Sequence, residues 1–442
     1  MSTPKHTVAF ISLGCPKNLV DSEQLVSTLV SRGFRALTDP AQADVVVVNT
    51  CGFLEASRTE SLGVIRDAVR LKQTNARAVL VAGCMVGNYR ELLEREAPGV
   101  DRYVPFTDYG KIADVAAEVC GDAPAPGFTV DRLRADVALT PGHYAYLKIS
   151  EGCNHTCAFC VIPDIRGVMR SVPLEDLVHR ARALAARGVR EIVLVAQDST
   201  VYGTDIYGEN RLVRLVERLR SVEGLAWVRL MYAYPTEVNP ALADALAAGA
   251  PVLPYLDVPI QHSSDRVLRL MRRGYGRREL ESMVTMLRAR GLALRTTVIT
   301  GFPGETDADF EDLLHFLRSA RFERLGAFPY SREPGSRADA LEGHLPEEVK
   351  RERLERLMLL QQEIAFAAAK ACVGSQLEVL VDTPARDGAP AIARTRMDAP
   401  EVDASVRIAD DTLRAGEVVT VSINGADGYD LLGTAVSRAL EI

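Results

Sequence analysis

The sequence lacks the features that would place it in a membrane or in a secretory pathway. No run in its 442 residues approaches the roughly 18 consecutive apolar residues that span a bilayer. The opening stretch from Met1 to His6 contains no apolar signal core. We therefore expect a cytoplasmic protein with no membrane partner.

Disulfide-forming cysteines and excess positive charge are also scarce. Eight cysteines in so long a chain are too few for a disulfide framework, which favours thiolate ligands instead. The 52 basic and 59 acidic residues leave a net charge of -7, so the chain as a whole is not suited to a polyanion. The hydrophobic content of 47% is ordinary for globular proteins, and the length predicts about three domains.

Residues 5–120 are predicted to form a parallel α/β domain. Apolar runs at residues 7–13, 44–49 and 78–82 predict buried strands, each followed by a helical pattern. The first helix is predicted over residues 18–31, because Gly33 lies where a helix should stop. Proline and glycine interrupt the periodicity in residues 121–138, which is typical of a linker.

Residues 139–374 predict a second α/β array, and residues 376–442 a small antiparallel β-barrel. The array has six strand candidates separated by helical stretches, which is too few for a closed eight-fold barrel and predicts a partial (βα)6, TIM-like barrel. These candidates are residues 144–150, 191–196, 227–231, 255–260, 292–300 and 324–330. A long helical pattern over residues 347–372 ends at Gly374, and short alternating runs follow it.

The first set of cysteines follows the predicted strands of the amino-terminal domain. Cys15, Cys51 and Cys84 each come directly after an apolar run. Because parallel strands joined by right-handed crossovers end at one edge of their sheet, we expect the three thiolates to converge on one metal centre. One such cysteine would usually be a small core residue, whereas three at equivalent strand ends favour ligands. Cys120 and Cys372 lack this context, and we assign them no role.

The second set lies in one loop after the first strand of the predicted partial barrel. Cys153, Cys157 and Cys160 are separated by three residues and then by two. Zinc sites usually pair two CxxC units, and no second pair is nearby. Iron-sulfur clusters usually take four thiolates, so three thiolates leave one iron open for chemistry. His155 could be a fourth ligand, although an ordinary loop residue is the simpler interpretation.

This C-x3-C-x2-C loop in a partial βα barrel resembles the radical S-adenosylmethionine (SAM) superfamily. The resemblance implies that Cys153, Cys157 and Cys160 hold a 4Fe-4S cluster whose open iron chelates the amino and carboxylate groups of SAM. Phe159 matches an aromatic position that lies near the adenine in this superfamily, but it could equally pack the loop.

Further candidate SAM contacts follow later strands, at the end where such barrels keep their active sites. Gln197 and Gln261 each come after an apolar strand, and Gln261 could make either a cofactor contact or a structural hydrogen bond. Gly301 and Glu305 belong to a turn that could admit a ligand or be an ordinary G-x-x-G turn. Arg273 could neutralise a cofactor carboxylate, although paired arginines at helix ends are usually solvated.

The chain resembles the methylthiotransferase family over essentially its whole length, with a terminal barrel similar to a TRAM domain. Three stretches carry the resemblance: Gly14-Cys-Pro-Lys-Asn18 with Asp21-Ser-Glu23, residues 151–160 with Ile162-Pro and Arg166-Gly167, and Gly301-Phe-Pro-Gly-Glu-Thr306. The resemblance implies that the barrel cluster cleaves SAM to a 5'-deoxyadenosyl radical that removes hydrogen from an unactivated carbon. It also implies that a second 4Fe-4S cluster, on Cys15, Cys51 and Cys84, delivers the methylthio group. By the same resemblance, a second SAM would supply the methyl, and we expect a reductant protein as a partner.

Charge separates the two branches of this family. One branch modifies an adenosine base in transfer RNA, and the other the β-carbon of an aspartate in small-subunit ribosomal protein S-twelve. Residues 376–442 contain twelve acids, six arginines and no lysine, a net charge of -6. We expect this domain to avoid RNA and to suit a basic protein, unless the excess only keeps the domain soluble.

Three short sequence motifs also favour the ribosomal-protein branch. Pro16-Lys17 after Cys15 and the stretches 255–262 and 398–403 resemble that branch, with S-twelve as the partner either free or in the ribosomal particle. Ala404 stands where a glycine is common there. The alternatives are a transfer RNA methylthiotransferase, which predicts a basic terminal barrel, and a non-enzymatic two-cluster electron carrier, which predicts fully ligated clusters.

Overall fold

The computed structural model describes residues 6–52, 54–122 and 138–438, and their contacts form two units. The first unit contains the described residues up to Leu139 together with Val161–Gly167. The second contains Thr140–Cys160 and the described residues from Val168 onward. Residues 123–137 of the predicted linker lie outside the described residues, so the domain boundary near Cys120 stays a prediction.

The first unit contains a five-stranded parallel sheet in the order β2-β1-β3-β4-β5. Its elements are β1 His6–Ser12, α1 Pro16–Ser31, β2 Phe34–Leu37, β3 Val45–Thr50, α2 Glu55–Arg70, β4 Ala78–Gly83, α3 Cys84–Asn88, α4 Arg90–Glu96, β5 Arg102–Val104, α5 Ile112–Val119 and α6 Ile162–Arg166. Every residue of β3 and β4 is buried, as expected for central strands covered on both faces. The three predicted strands are confirmed, and β1, β3 and β4 are neighbours in the sheet.

The second unit begins with the partial barrel, which consists of two parallel three-stranded sheets, β6-β9-β10 and β11-β12-β13. Its elements are β6 Tyr144–Lys148, β7 Ser150–Glu151, β8 Arg170–Ser171, α7 Leu174–Ala186, β9 Glu191–Val195, α8 Thr204–Tyr207, α9 Leu212–Arg220, β10 Trp227–Leu230, α10 Pro240–Ala247, β11 Tyr255–Asp257, α11 Asp265–Leu270, α12 Arg277–Arg288, β12 Ala293–Thr300, α13 Asp307–Ala320, β13 Arg324–Pro329 and α14 Glu347–Ala371. All six predicted barrel strands are present. The short strands β2, β5, β7 and β8 escaped prediction because two to four residues show too little periodicity.

The remaining strands form a closed five-stranded barrel, here called the terminal barrel, in the order β14-β15-β16-β18-β17. They are β14 Gln376–Thr383, β15 Ala391–Thr395, β16 Val406–Ile408, β17 Val418–Asp427 and β18 Asp430–Arg438. The prediction of a wholly antiparallel barrel is wrong at one pairing, because β16 and β18 run parallel. A closed ring with an odd number of strands cannot alternate direction at every step, so one parallel pair is required.

Buried charge joins the terminal barrel to the partial barrel within the second unit. Glu191, at the start of β9, has no exposed surface and accepts hydrogen bonds from Arg229 Nε and Arg394 Nη1, both at 2.7 Å. Burial alone would raise the pKa of Glu191, but the two guanidinium groups hold it below its ordinary value.

Four acids of the terminal barrel bond to residues of the partial barrel. The pairs are Asp382 with His143, Asp398 with Arg324, Glu401 with Tyr144 and Asp403 with Arg295. Much of the acidity of residues 376–442 therefore serves this internal junction.

None of the helices in the described residues combines the length and the apolar character needed to cross a membrane.

Candidate functional site

The first cysteine set lies at one edge of the parallel sheet. Cys15 immediately precedes α1, Cys51 follows β3, and Cys84 opens α3 directly after β4. Burial raises the pKa of the Cys84 thiol, Arg166 opposes that rise, and the neighbouring Cys15 and Cys51 add to it. In the register of the sheet, Ser12 pairs with Asn49 and Thr50 pairs with Gly83, so the three cysteines follow neighbouring strand ends, as strand-end convergence predicts.

Gly14 lies so close to Cys51 that a side chain at position 14 would clash with it. Gly14 has a φ of +89°, and a Cβ added there would lie 2.6 Å from Cys51 Cβ and 2.9 Å from Cys51 Sγ. Position 14 therefore requires glycine for two reasons: its left-handed backbone conformation and the close approach of Cys51, a candidate ligand.

We expect Gly14→Ala to displace Cys51 and to lower the iron that reconstitution places on the first cysteine set. Gly33→Ala is the matched control, because Gly33 has a φ of +90° but no atom within 4 Å of the added Cβ. Both variants carry a left-handed backbone penalty of about 1–2 kcal/mol. Iron content and circular dichroism measure the result, and equal iron in the two variants would contradict the steric role of Gly14.

The second cysteine set occupies the loop between β7 and α6. Burial raises the pKa of the Cys153 thiol to about 11. The Cys160 N–H donates to the Cys157 carbonyl at 3.1 Å, which makes the end of the loop a tight turn. Arg273 Nη1 donates to Cys157 Sγ at 3.2 Å. The loop thus presents its three sulfurs with one of them already hydrogen-bonded to a cation.

Neither cysteine set is drawn together around a single ion. Among the described residues, no group of three His, Cys, Asp or Glu side chains is close enough to hold one metal ion.

His155 has a definite place that sequence reasoning left open. Its Nε2 lies 2.6 Å from Asp198 Oδ2, and its ring stacks on Tyr234 with centroids 3.8 Å apart. These contacts hold the cysteine loop against residues that follow β9 and β10. The position of Asp198 directly after a predicted strand was the one sequence signal for this pair.

The glutamines predicted to contact SAM lie at the carboxyl ends of barrel strands. Gln197 follows β9 and donates from Nε2 to Glu151 Oε1 at 2.7 Å, while its own Oε1 is buried without a hydrogen-bond partner among the described residues. Gln261 adopts a φ of +67°, which is unusual for a residue other than glycine. Backbone strain of this kind is typical of functional sites.

The other predicted contacts have protein partners. Phe159 meets Phe302 edge to face, with centroids 6.5 Å apart. Both Gly301 N–H and Phe302 N–H donate to the Glu305 carboxylate, which is buried and also accepts from Arg353 Nη1 at 2.7 Å. Glu305 therefore shapes the turn around Gly301.

Close packing against α14 explains the glycine at position 301. A Cβ on Gly301 would meet Lys350 Cγ at 2.5 Å. The missing side chain thus makes room for a helix of the protein itself.

Arg273 lies beneath the cysteine loop and is not solvated. Its guanidinium carbon is 4.1 Å from the centroid of the Tyr234 ring, and its Nε donates to Tyr275 OH at 2.6 Å. With Cys157 as a further partner, Arg273 is fixed beside the loop that the sequence assigns to a cluster.

The chemistry of this strand-end surface fits a polar cofactor. The buried side-chain oxygens that have no hydrogen-bond partner among the described residues include three on this surface: Ser150 Oγ, Gln197 Oε1 and Thr300 Oγ1. They lie at or just beyond the carboxyl ends of β6, β9 and β12, the side on which βα barrels bind ligands. Because unsatisfied buried oxygens are costly, a donor-bearing ligand would stabilise this surface.

Three protein-family models match the chain. The radical SAM superfamily matches residues 147–317, the uncharacterized protein family UPF0004 matches residues 7–105, and the TRAM domain matches residues 373–436. The ribosomal protein uS12 methylthiotransferase RimO of Anaeromyxobacter sp. (strain K) is 46% identical over 434 residues, covering 97% of this chain and 92% of the relative. The protein of the same name from Lachnoclostridium phytofermentans is 42% identical, covering 97% and 99%.

Solved structures support the fold of the partial barrel. The radical SAM methyltransferase TsrM from Kitasatospora setae, solved with cobalamin and a 4Fe-4S cluster, aligns with a TM-score of 0.58 at 18% identity. The alignment covers 75% of this chain and 77% of TsrM.

Proposed function

This chain belongs to the RimO family of ribosomal protein uS12 methylthiotransferases, and we propose that it transfers a methylthio group to the β-carbon of an aspartate in uS12 (ribosomal protein S-twelve). The observation that carries the proposal is the presence of two separate three-cysteine sets in a chain that matches these relatives from end to end. An electron carrier would not need an open position in either set.

The cofactors we propose are two 4Fe-4S clusters and SAM. Cys153, Cys157 and Cys160 would hold one cluster, and the first set would hold the other. Bound at these sites, the clusters and SAM would supply reductive cleavage of SAM, hydrogen abstraction and the methylthio group.

The side chains of the partial barrel would bind and orient SAM. The free Oε1 of Gln197 can accept from the amino group or the ribose hydroxyls of SAM. Arg273 holds a positive charge beside Cys157 and would neutralise the carboxylate of SAM. Phe159 offers an apolar face for the adenine, while Gly301 and Glu305 would contribute through the turn they form.

The charge of the terminal barrel supports a protein substrate less strongly than its sequence suggested. Asp382, Asp398, Glu401 and Asp403 bond to the partial barrel, so they do not form a free acidic surface. The absence of lysine from residues 376–442 still disfavours phosphate binding. The identity of the relatives therefore supports uS12 more strongly than the charge does.

The test is a competition between substrates. Anaerobically reconstituted enzyme receives SAM, a reductant and sulfide, with uS12 and bulk transfer RNA in the same reaction, and both are analysed by mass spectrometry. We expect a methylthio mass gain on an aspartate of uS12 and none on the RNA. Modification of RNA alone would overturn the substrate assignment, and offering uS12 within the small ribosomal subunit in a parallel reaction separates free from assembled substrate.

A further inference from the structure

Arg166 is a buried cation in the first unit. It ends the short helix α6, in the segment Val161–Gly167 that groups with the first unit although the chain on both sides of it belongs to the second. Arg166 Nη1 donates to Asp21 Oδ2 at 2.9 Å, and the two side chains are only 2% and 1% exposed. An ion pair this deeply buried is costly unless further groups use the charge.

The same guanidinium group also contacts Cys84, a candidate cluster ligand. Arg166 Nη2 lies 3.4 Å from Cys84 Sγ and 3.5 Å from Asn18 Oδ1, and the guanidinium carbon lies 5.1 Å from the centroid of the Phe106 ring. Cys84 is itself buried, so few water molecules can stabilise negative charge on its sulfur. Arg166 therefore contacts two groups that can carry negative charge, the Asp21 carboxylate and the Cys84 sulfur.

We propose that Arg166 is a positioning residue for the amino-terminal cluster, holding the Cys84 sulfur and raising the reduction potential of that cluster. This inference rests on the proposed function, because it requires a cluster on Cys15, Cys51 and Cys84. Hydrogen bonds and positive charge at a cluster sulfur favour the reduced, more negative state. Asp21 holds the guanidinium in place and offsets part of its charge. The two residues together therefore determine how far the reduction potential is raised.

The chain links this arginine to the other cysteine set. Arg166 is the sixth residue after Cys160, and the division between the units falls directly after Cys160. The segment that follows the barrel cysteine loop thus carries Arg166, which contacts the sulfur of Cys84.

The experiment uses the full-length chain with Cys153, Cys157 and Cys160 replaced by alanine, so that only the amino-terminal cluster contributes a signal. In this background Arg166→Gln, Arg166→Lys and Asp21→Asn are compared by iron content, electron paramagnetic resonance and redox titration. Arg32→Gln is the matched control, because Arg32 also pairs with an aspartate, Asp114, in the first unit.

Two shifts of opposite sign are expected. Arg166→Gln should make the potential more negative, Arg166→Lys should restore part of the change, and Asp21→Asn should make the potential more positive because a buried negative charge is lost. Loosening of the structure would not produce opposite signs. Loss of iron from Arg166→Gln, with retained circular dichroism and normal iron in Arg32→Gln, would also support the role of Arg166 in positioning Cys84.

Two results would contradict this inference, and they can be told apart. Normal iron with potentials and spectra unchanged in both Arg166 variants would overturn the role of Arg166 and leave the proposed function intact. Absence of any cluster from the parent background, in which Arg166 is unchanged, would overturn the two-cluster assignment and this inference with it.

Discussion

Replacing Cys157 with alanine should abolish SAM cleavage while leaving the amino-terminal cluster in place. Cys157 is one of only three thiolates available to the barrel cluster, and its sulfur is the one that Arg273 contacts. Two thiolates do not retain a 4Fe-4S cluster, which normally requires three or four. The measurement is 5'-deoxyadenosine formed with SAM and dithionite, together with iron content, and we expect the product to fall to the level of an enzyme-free reaction.

Cys84→Ala should give the complementary phenotype. SAM cleavage should continue, because the barrel set is intact, but no methylthio group should reach uS12. Cys120→Ala and Cys372→Ala are the controls, since both are partly buried cysteines outside the two sets, and both should keep cleavage and transfer. If Cys157→Ala cleaves SAM normally, or if Cys84→Ala still transfers the methylthio group, the corresponding cluster assignment is wrong.

The cysteine sites could be predicted because each depends on local sequence. Apolar runs placed Cys15, Cys51 and Cys84 after strands, and the parallel topology of β1, β3 and β4 then puts those strand ends on one edge. The C-x3-C-x2-C spacing needs no tertiary information at all. The order of the units and nearly all the longer strands followed from hydrophobic periodicity for the same reason.

Partners distant in sequence could not be predicted. The Arg166–Cys84 contact joins residues 82 positions apart, and the Glu191–Arg394 pair joins residues 203 positions apart. A charged residue in a sequence is normally expected on the surface. Net charge has the same limit, because the composition of the terminal barrel counts Asp398 and Asp403 as available, although both bond to arginines of the partial barrel.

The junction between the two barrels provides the prediction with the largest effect on stability. Glu191→Gln should lower the free energy of unfolding of the second unit by about 3–5 kcal/mol, because it leaves Arg229 and Arg394 buried without their shared carboxylate. Guanidinium unfolding followed by fluorescence is suitable, since Trp227 is the only tryptophan and lies buried in β10 beside Arg229.

The pH dependence of this loss identifies its electrostatic origin. The pKa of Glu191 is lowered in the folded chain, so its contribution is complete above the ordinary carboxylate pKa and disappears as pH falls through that value toward the lowered one. Wild type and Glu191→Gln should therefore differ most near neutral pH and converge in acid. Glu311→Gln, which changes the exposed pair with Arg356 elsewhere in the second unit, should cost less than about 1 kcal/mol at any pH. Because glutamine retains the shape of glutamate but not its charge, a gap between wild type and Glu191→Gln that stayed constant down to acid pH would contradict the electrostatic origin of the loss.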